Sequence, residues 1–476
     1  MLSQNRIFSF TNSKEIKIYP LVFAQAATFL KSKGHDVLYL DGINERLSSD
    51  AFLQVLEMYN PDLCVIETKV PVIKAHWDFI DQQKQRHGWI FALIGDHVSF
   101  FPEESLEKCK TDYVLTGGDF DVSLSSLADY LTTKDVKELA PGTYFRQDGK
   151  IVNNGSFKPF EKLDELPFID RDLTRWNIYQ EAYLRKPCTY ILSGRGCMTP
   201  KGIGRCGFCI WQYALWRCTA RLRSPANVVA EIDEIMLKYK VREIFDDNES
   251  GLTSDSAWLE EFCYLINKKR LQKKINISSN ARADQLDKKN CIMLRKSGVR
   301  LLKIGIESGC NKSLKELMKD EAIEEIIEKI KIAKDNGLNV MVTTMVGYPW
   351  ESEEDVRQTY NIAKRLMLYK PRCGDSLEAN VIIPYPGTPL YKLSIKNSWF
   401  IKDPKDYDIY GLSEGVLRCQ INPEEWCSRL WSIHLHPCFI LRSFITARDL
   451  NDFKLLFSGA RSLLGHMKDW SGFWSS

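Results

Sequence analysis

The sequence carries little excess charge of either sign. Its 65 basic and 62 acidic residues leave a net charge of +3, too small for the one-signed field by which a protein holds nucleic acid or a strongly acidic substrate. No apolar run approaches the roughly 18 to 20 residues that span a bilayer. The opening stretch, Met1 to Phe10, lacks the charged start, apolar run and small-residue cleavage site of a secretory leader. Repeats of fixed period and low-complexity tracts are missing too. These absences lead to the expectation of a cytoplasmic protein that works without nucleic acid and without a transmembrane segment.

What is present is a chain of 476 residues, 44% hydrophobic and 11% aromatic, enough for two or three domains with sizeable cores. Fourteen cysteines in a long chain without a leader read as reduced thiols and metal ligands rather than as a disulfide framework. Most of them, Cys64, Cys263 and Cys291 included, sit in apolar patterns as small core residues.

Between residues 21 and 133, helical patterns alternate with the continuous apolar runs Asp62 to Glu67, Trp89 to Ile94 and Asp112 to Thr116. Such runs form parallel strands buried on both faces. The expected fold class is therefore α/β, with a doubly wound, Rossmann-like domain over residues 1–133, whose ligand site lies at the carboxyl ends of its strands. Residues 134–187 read as a linker with a β-hairpin, because Asp148-Gly149 supplies the positive φ of a tight turn. Pro159, Pro167 and Pro187 argue against long helices there.

A second alternating series covers residues 188–395, with strands expected near Tyr190, Arg242, Lys274, Arg300, Asn339 and Leu377. Ser224 and Pro225 form a helix start ahead of the apolar stripe Val228, Val229, Ile232, Ile235 and Met236. A later helix from Glu321 ends at Gly337. Six βα repeats make a partial, TIM-like barrel with its site at the carboxyl ends of the strands. Residues 396–476 read as a mostly helical region, with Trp399, Trp426, Trp431, Trp470 and Trp474 as core and barrel-capping residues or, alternatively, a surface for an apolar substrate or membrane interface.

Chemistry concentrates in Cys197-Met-Thr-Pro-Lys-Gly-Ile-Gly-Arg-Cys206-Gly-Phe208-Cys209, where the first barrel strand runs into a loop. Three thiolates can hold three irons of a 4Fe-4S cluster and leave the fourth open to an exogenous ligand. The plainer reading is a structural zinc site completed by Cys188 or Cys218.

With the βα series, this stretch resembles the radical S-adenosylmethionine (radical SAM) enzymes, Phe208 taking the usual aromatic place before the last cysteine. Ile304-Gly-Ile-Glu307-Ser308-Gly309 and Met345-Val-Gly347-Tyr-Pro349-Trp-Glu351 look like the family's fourth- and fifth-strand segments around bound SAM. Ile383-Pro-Tyr-Pro-Gly-Thr-Pro-Leu390 matches a signature of its cobalamin-associated branch. The N-terminal domain is similar to that branch's cobalamin-binding domain in Asn60-Pro61-Asp62, Gly95-Asp96-His97 and Thr116-Gly117-Gly118-Asp119. Two departures stand out. Eight residues separate Cys197 from Cys206 where the branch usually has three, and an Asp-x-His-x-x-Gly signature for a cobalt-ligating histidine is missing.

The resemblance implies a 4Fe-4S cluster on Cys197, Cys206 and Cys209, SAM bound at its open iron, and cobalamin in the N-terminal domain. It also implies an electron donor such as flavodoxin or ferredoxin. Asp246, Asp247 and Asn248 are then expected to meet the SAM amino group, Asn280 and Arg282 its carboxylate, and Glu307 and Ser308 its ribose, with Phe208 and Gly347 beside them. Thr68, Gly95, His97, Gly117 and Gly118 are expected near the corrin or its nucleotide tail. Each set has a plainer alternative: helix capping for Asp246 to Glu249, an ion pair for Arg282, packing for His97, a tight turn for Gly117 and Gly118. Catalytic acid-base residues are not legible. The implied activity is cobalamin-dependent methylation of an unactivated carbon in a small-molecule or lipid-like substrate. The alternatives are radical ring contraction, cyclisation or carbon–carbon bond formation without methylation, and a zinc-stabilised, non-enzymatic binding protein.

Overall fold

The computed structural model describes residues 17–411 and 415–471, with side chains as far as 465. Residues 1–16, on which the reading of a missing leader rests, and Trp474 lie outside the described residues, as does the side chain of Trp470.

The N-terminal sheet begins with three parallel strands, β1 (Leu63–Thr68), β2 (Ile90–Gly95) and β3 (Tyr113–Leu115). Helices α1 (Leu21–Ser32) and α2 (Phe120–Thr133) pack on one face through Val22, Ala26, Phe120 and Leu124. The opposite face is covered through Ile73, Trp77, Ile80 and Leu106, which explains the uninterrupted apolar runs. The Asp148-Gly149 hairpin forms as expected, with φ of +50° and +75° at the two turn residues. Its strands β4 (Thr143–Gln147) and β5 (Lys150–Asn153) do not stand apart as linker structure. β4 pairs antiparallel with β3, so the hairpin completes the order β1-β2-β3-β4-β5.

The second sheet holds β6 (Cys188–Ile191), β7 (Glu243–Asp246), β8 (Asn276–Ala281), β9 (Val299–Glu307), β10 (Asn339–Val346) and β11 (Ser376–Val381). All pair in parallel and in sequence order, as an open half-barrel. The six strands stand where the apolar pattern puts them. Helix α3 (Pro225–Lys238) starts as its sequence dictates, the Ser224 hydroxyl accepting from the Asn227 N–H at 3.2 Å. In β9 to β11 the residues facing outward are buried, while Lys303, Thr343, Met345, Glu378 and Asn380, one step out of phase, are partly accessible. The concave face of the half-barrel is thus an open recess.

Helix α4 (Pro423–Ser432) starts beside Gly347 at the carboxyl end of β10 and runs back along β11, and α5 (Pro437–Ile445) and α6 (Leu450–Ser471) close the amino-terminal end of the barrel. Trp426 is buried in the barrel core, and the Trp431 indole donates to the Ala379 carbonyl at 3.0 Å. Arg185, just before β6, pairs with Asp452 of α6, and the N–H of Cys373, just before β11, donates to Thr446 at 2.8 Å. No helix among the described residues is long and apolar enough to cross a membrane.

Candidate functional site

The cysteine segment leaves β6 on a short ladder, Gly194–Arg195 running antiparallel to Arg221–Leu222. At Gly196 the chain turns with φ of +92°, and a Cβ there would come 1.9 Å from the Thr219 carbonyl oxygen. Only glycine fits. Met198–Thr199 then pairs antiparallel with Gly202–Ile203, and the Gly204 N–H donates to the Cys197 carbonyl at 2.8 Å. The eight residues between Cys197 and Cys206 therefore form a self-paired finger. Cys206 emerges from its base, beside Cys197, as a shorter loop would also have brought it. The Gln212 amide pins that base through Gly204 O at 2.8 Å, and the Gly207 N–H is held by Leu317 O at 2.7 Å.

Burial pushes the Cys197 thiol up to about 12, with Arg282 acting against it, and raises Cys206 and Cys209 as well. The thiols also sense one another's charge. Three such groups ionise together only when a strong local cation holds them, which is what bound metal supplies. Among the described residues no three His, Cys, Asp or Glu side chains form a ready-made group around one ion. Zinc needs four donors converging on one point at roughly 2.0–2.3 Å, whereas the thiolates of a cluster bind different irons. Cys188, offered as a fourth zinc ligand, stands at the start of β6, the far end of the strand from the loop.

Beside the thiols lies a buried charge network. Arg282 holds Asp284 at 2.7 Å and Glu321 at 3.3 Å, and Lys319 holds Glu307 at 3.0 Å and Glu321 at 3.3 Å. Both cations favour the Cys206 thiolate. Lys319 carries no sequence signal, since it stands in a turn outside every motif. Glu307, in a left-handed conformation at φ +56°, is thereby turned toward Lys319.

Asp246 and Asp247 part company at the end of β7. Asp246 is wholly buried and accepts from the Ser193 N–H and hydroxyl, both at 2.8 Å. It builds the turn and is not open to a ligand, a correction to the role expected of it. Asn248 is likewise buried, donating to Ser193 at 3.1 Å. Asp247 instead faces the recess, where the Asn280 amide donates to it at 3.3 Å. Crowding by surrounding protein, then Glu181 and Glu249, raises its pKa to about 7, against the pull of Lys303. Ser308 is also buried, its hydroxyl donating to Glu351 at 2.6 Å. Arg282 takes the ion-pair alternative. Gly347 packs under Pro423, and Phe208 lies against the core beneath the N-terminal sheet.

The residues expected near a corrin are similarly engaged. The Thr68 hydroxyl bonds His76 at 2.9 Å, and a Cβ on Gly95 would fall 2.0 Å from the Thr68 carbonyl oxygen. His97 is fully buried, its Nε2 on Glu104 at 3.0 Å, while its Nδ1 lacks a partner. The Gly117 N–H donates to the Ser99 hydroxyl at 3.0 Å, and the Gly118 N–H donates to the Leu215 carbonyl at 2.9 Å. Gly118 lacks a side chain because Trp216 packs there. What the carboxyl ends of β1 and β2 present instead is Lys69, 2.9 Å from Glu67 and 3.9 Å from Asp96. Its ammonium lies 5.2 Å over the ring of Trp211, which is 41% exposed. Cationic, acidic and aromatic groups thus face the junction of the two sheets.

Residues 196–363 match the model of the family described as the Radical SAM superfamily. An uncharacterised methyltransferase of Pyrococcus horikoshii is 24% identical over 434 residues, covering 90% of each chain. Among solved structures, TsrM from Kitasatospora setae, a radical SAM methyltransferase with cobalamin and a 4Fe-4S cluster bound, superposes with a TM-score of 0.70 at 16% identity, covering 96% of this chain and 97% of that one. OxsB, a cobalamin-dependent SAM radical enzyme, also gives 0.70, at 15% identity over 96% of this chain and 70% of its own. Both share the fold from the N-terminal sheet through the half-barrel.

Proposed function

We propose that the chain, whose residues 196–363 match the Radical SAM superfamily, is a radical SAM enzyme that methylates an unactivated carbon with the help of cobalamin. The observation that carries this reading is the finger that returns Cys206 and Cys209 to Cys197 beside an N-terminal sheet of the TsrM and OxsB kind. The methyl-transfer element rests on the names of TsrM and of the Pyrococcus relative.

Cys197, Cys206 and Cys209 fit a 4Fe-4S cluster, since among the described residues the thiols of Cys206 and Cys209 donate no hydrogen bond and Arg282 and Lys319 favour the Cys197 and Cys206 thiolates. Asp247 and Asn280, facing the recess, suit the amino and carboxylate groups of SAM. Trp211, exposed at the sheet junction above the buried ion pair of Lys69 with Glu67 and Asp96, is the group there that could meet cobalamin. Bound together, these cofactors supply a carbon-centred radical and a transferable methyl group. The chain's own work is to position substrate in the recess and to exclude water from it. An external one-electron donor, flavodoxin or ferredoxin in kind, completes the scheme, and the substrate is a small or lipid-like molecule.

The name of OxsB, a cobalamin-dependent S-adenosylmethionine radical enzyme, does not specify methyl transfer, and it keeps one further reading open: radical ring contraction, cyclisation or carbon–carbon bond formation on a lipid or natural product without methylation. Anaerobic incubation of the cofactor-loaded enzyme with SAM, dithionite and a small-molecule cell extract separates the two. Methylation predicts extract-dependent formation of both 5′-deoxyadenosine and S-adenosylhomocysteine. 5′-Deoxyadenosine alone contradicts methylation and leaves the second reading.

A further inference from the structure

At the amino-terminal end of the half-barrel, opposite the cysteine loop, arginines gather without enough acids. Arg300 is 4% exposed; its Nε donates to Glu243 and its Nη2 to Tyr183 O, both at 2.8 Å, but its Nη1 has no partner. The Nε of Arg185 is also buried and unpartnered. Two glycines leave room around these groups. A Cβ on Gly374 would lie 2.6 Å from Arg300 Nη1, and one on Gly337 would lie 3.4 Å from Arg295 Nε and 3.5 Å from Arg372 Nη1.

The acids at this end are already committed. Glu243 holds Arg300, Asp452 holds Arg185, Asp375 holds Lys334 at 3.0 Å and Asp335 holds Lys370 at 2.5 Å. Arg295, Arg372 and Arg448 have no carboxylate at ion-pair distance among the described residues. Burial, and then the charges of Arg448, Arg372, Arg185 and Arg300, push the Arg295 guanidinium below its ordinary range, as expected where cations crowd without counter-charge.

Directly beside this cluster, Leu455 of α6 reaches Gly374, its Cδ2 3.2 Å from the position of a Cβ there. Around it α5 and α6 turn an apolar face outward. Leu441, Phe444, Ile445, Leu450, Phe453 and Phe457 are exposed, Leu450 by 78% and Phe457 by 69%. The rings of Phe444 and Phe453, 6.5 Å apart, join the two helices into one patch. Exposed Arg442, Arg448, Lys454 and Arg461 surround it, and Asp449, in the turn between the two helices, is the single exposed acid among the residues 437–465 whose side chains are described. Contiguous apolar exposure of this extent marks an interaction surface, and its cationic border selects an anionic one.

We propose that this end of the protein docks on an anionic phospholipid surface, with the apolar side chains of α5 and α6 entering the headgroup boundary and Arg295, Arg372 and Arg448 receiving a lipid phosphate. Nothing in this depends on the cofactor chemistry at the opposite end of the barrel.

The test is co-flotation of the full chain with vesicles of phosphatidylcholine alone or with about one-third phosphatidylglycerol, beside two variants. One carries R295Q, R372Q and R448Q; the other carries F444S, F453S and F457S, all surface positions. Circular dichroism and iron content of the reconstituted proteins report that both variants fold. Flotation with the phosphatidylglycerol vesicles only, weakened in each variant, supports the proposal. Three lost charges, each worth roughly fivefold near such a surface, predict a drop of about a hundredfold in partitioning for the arginine variant. Equal partitioning of wild type and variants overturns it. So does displacement of the protein from vesicles by millimolar inorganic phosphate, which assigns the arginines to a free anion. A vesicle-independent dimer abolished by the phenylalanine changes assigns the patch to a second copy of the chain and likewise overturns it.

Discussion

Arg195, two residues ahead of Cys197, donates from Nη1 to Asp119 at 2.6 Å and from Nη2 to Asp121 at 2.5 Å. Both acids stand at the start of α2 in the N-terminal unit. Arg221, across the short ladder from Arg195, holds the other oxygen of Asp119 at 2.8 Å. All four side chains are buried, with the Trp216 ring 5.8 Å from each guanidinium. The backbone that presents the cysteines is therefore tied to the N-terminal sheet by a desolvated ion network.

Removing one partner of such a network strands the others. Asp119→Asn is expected to destabilise the protein by about 3–5 kcal/mol, the usual consequence of an uncompensated buried charge. Burial acts to raise the Asp119 pKa, but Arg195 and Arg221 outweigh it and hold the carboxyl below its ordinary range. Its contribution to stability is then complete above the unfolded-state pKa of about 3.9 and fades as pH falls through the lower folded value. Urea melts between pH 3 and 7 check this. The variant should lose stability at neutral pH and show a shallower acid limb. Unchanged melts at pH 7 would contradict the network's role.

Gly196→Ala tests the turn that sets Cys197 in place. Its Cβ would collide with the Thr219 carbonyl in a conformation that L-residues avoid. The variant should fold, because the clash lies in a loop, yet bind less than half the iron of wild type after reconstitution. Wild-type iron content would show that the finger tolerates a displaced turn.

Asp247→Asn tests the recess. With its carboxyl raised to about 7, Asp247 is protonated in the folded state at pH values where the unfolded chain has lost that proton. The native state is favoured below the unfolded pKa, and that advantage disappears as pH rises through about 7. Binding of the SAM ammonium runs the other way, strengthening as the carboxylate forms. Calorimetric titration with SAM from pH 6 to 8.5 should show affinity rising through pH 7 in wild type and a weaker, flat profile in Asp247→Asn. A parallel pH slope in both proteins would remove Asp247 from the SAM site.

Strand positions in both sheets are legible because buried parallel strands require unbroken apolar runs, as in Trp89 to Ile94. Which of two adjacent acids faces the recess is not, because alternation along β7 is fixed by its register: Asp246 lies opposite Ile191 on one side and Ser279 on the other. Spacing alone shows Cys197 and Cys206 far apart. That the intervening residues pair with themselves depends on Gly202 adopting φ +116°, which sequence permits but does not demand. Gly117 and Gly118 look like ligand-approach glycines, and the partners that make them packing positions, Phe157 and Trp216, come from remote parts of the chain. Lys319 acquires its place among Glu307, Glu321 and the thiols only through tertiary contact.

The most direct test of the whole account is the iron, zinc and corrinoid content of anaerobically purified protein, produced with iron, sulfide and cobalamin available, beside a variant with Cys197, Cys206 and Cys209 all changed to Ala. The account predicts iron and corrinoid in the wild type, with iron lost and corrinoid retained in the variant. Zinc in place of iron, lost on the same substitutions, would contradict it.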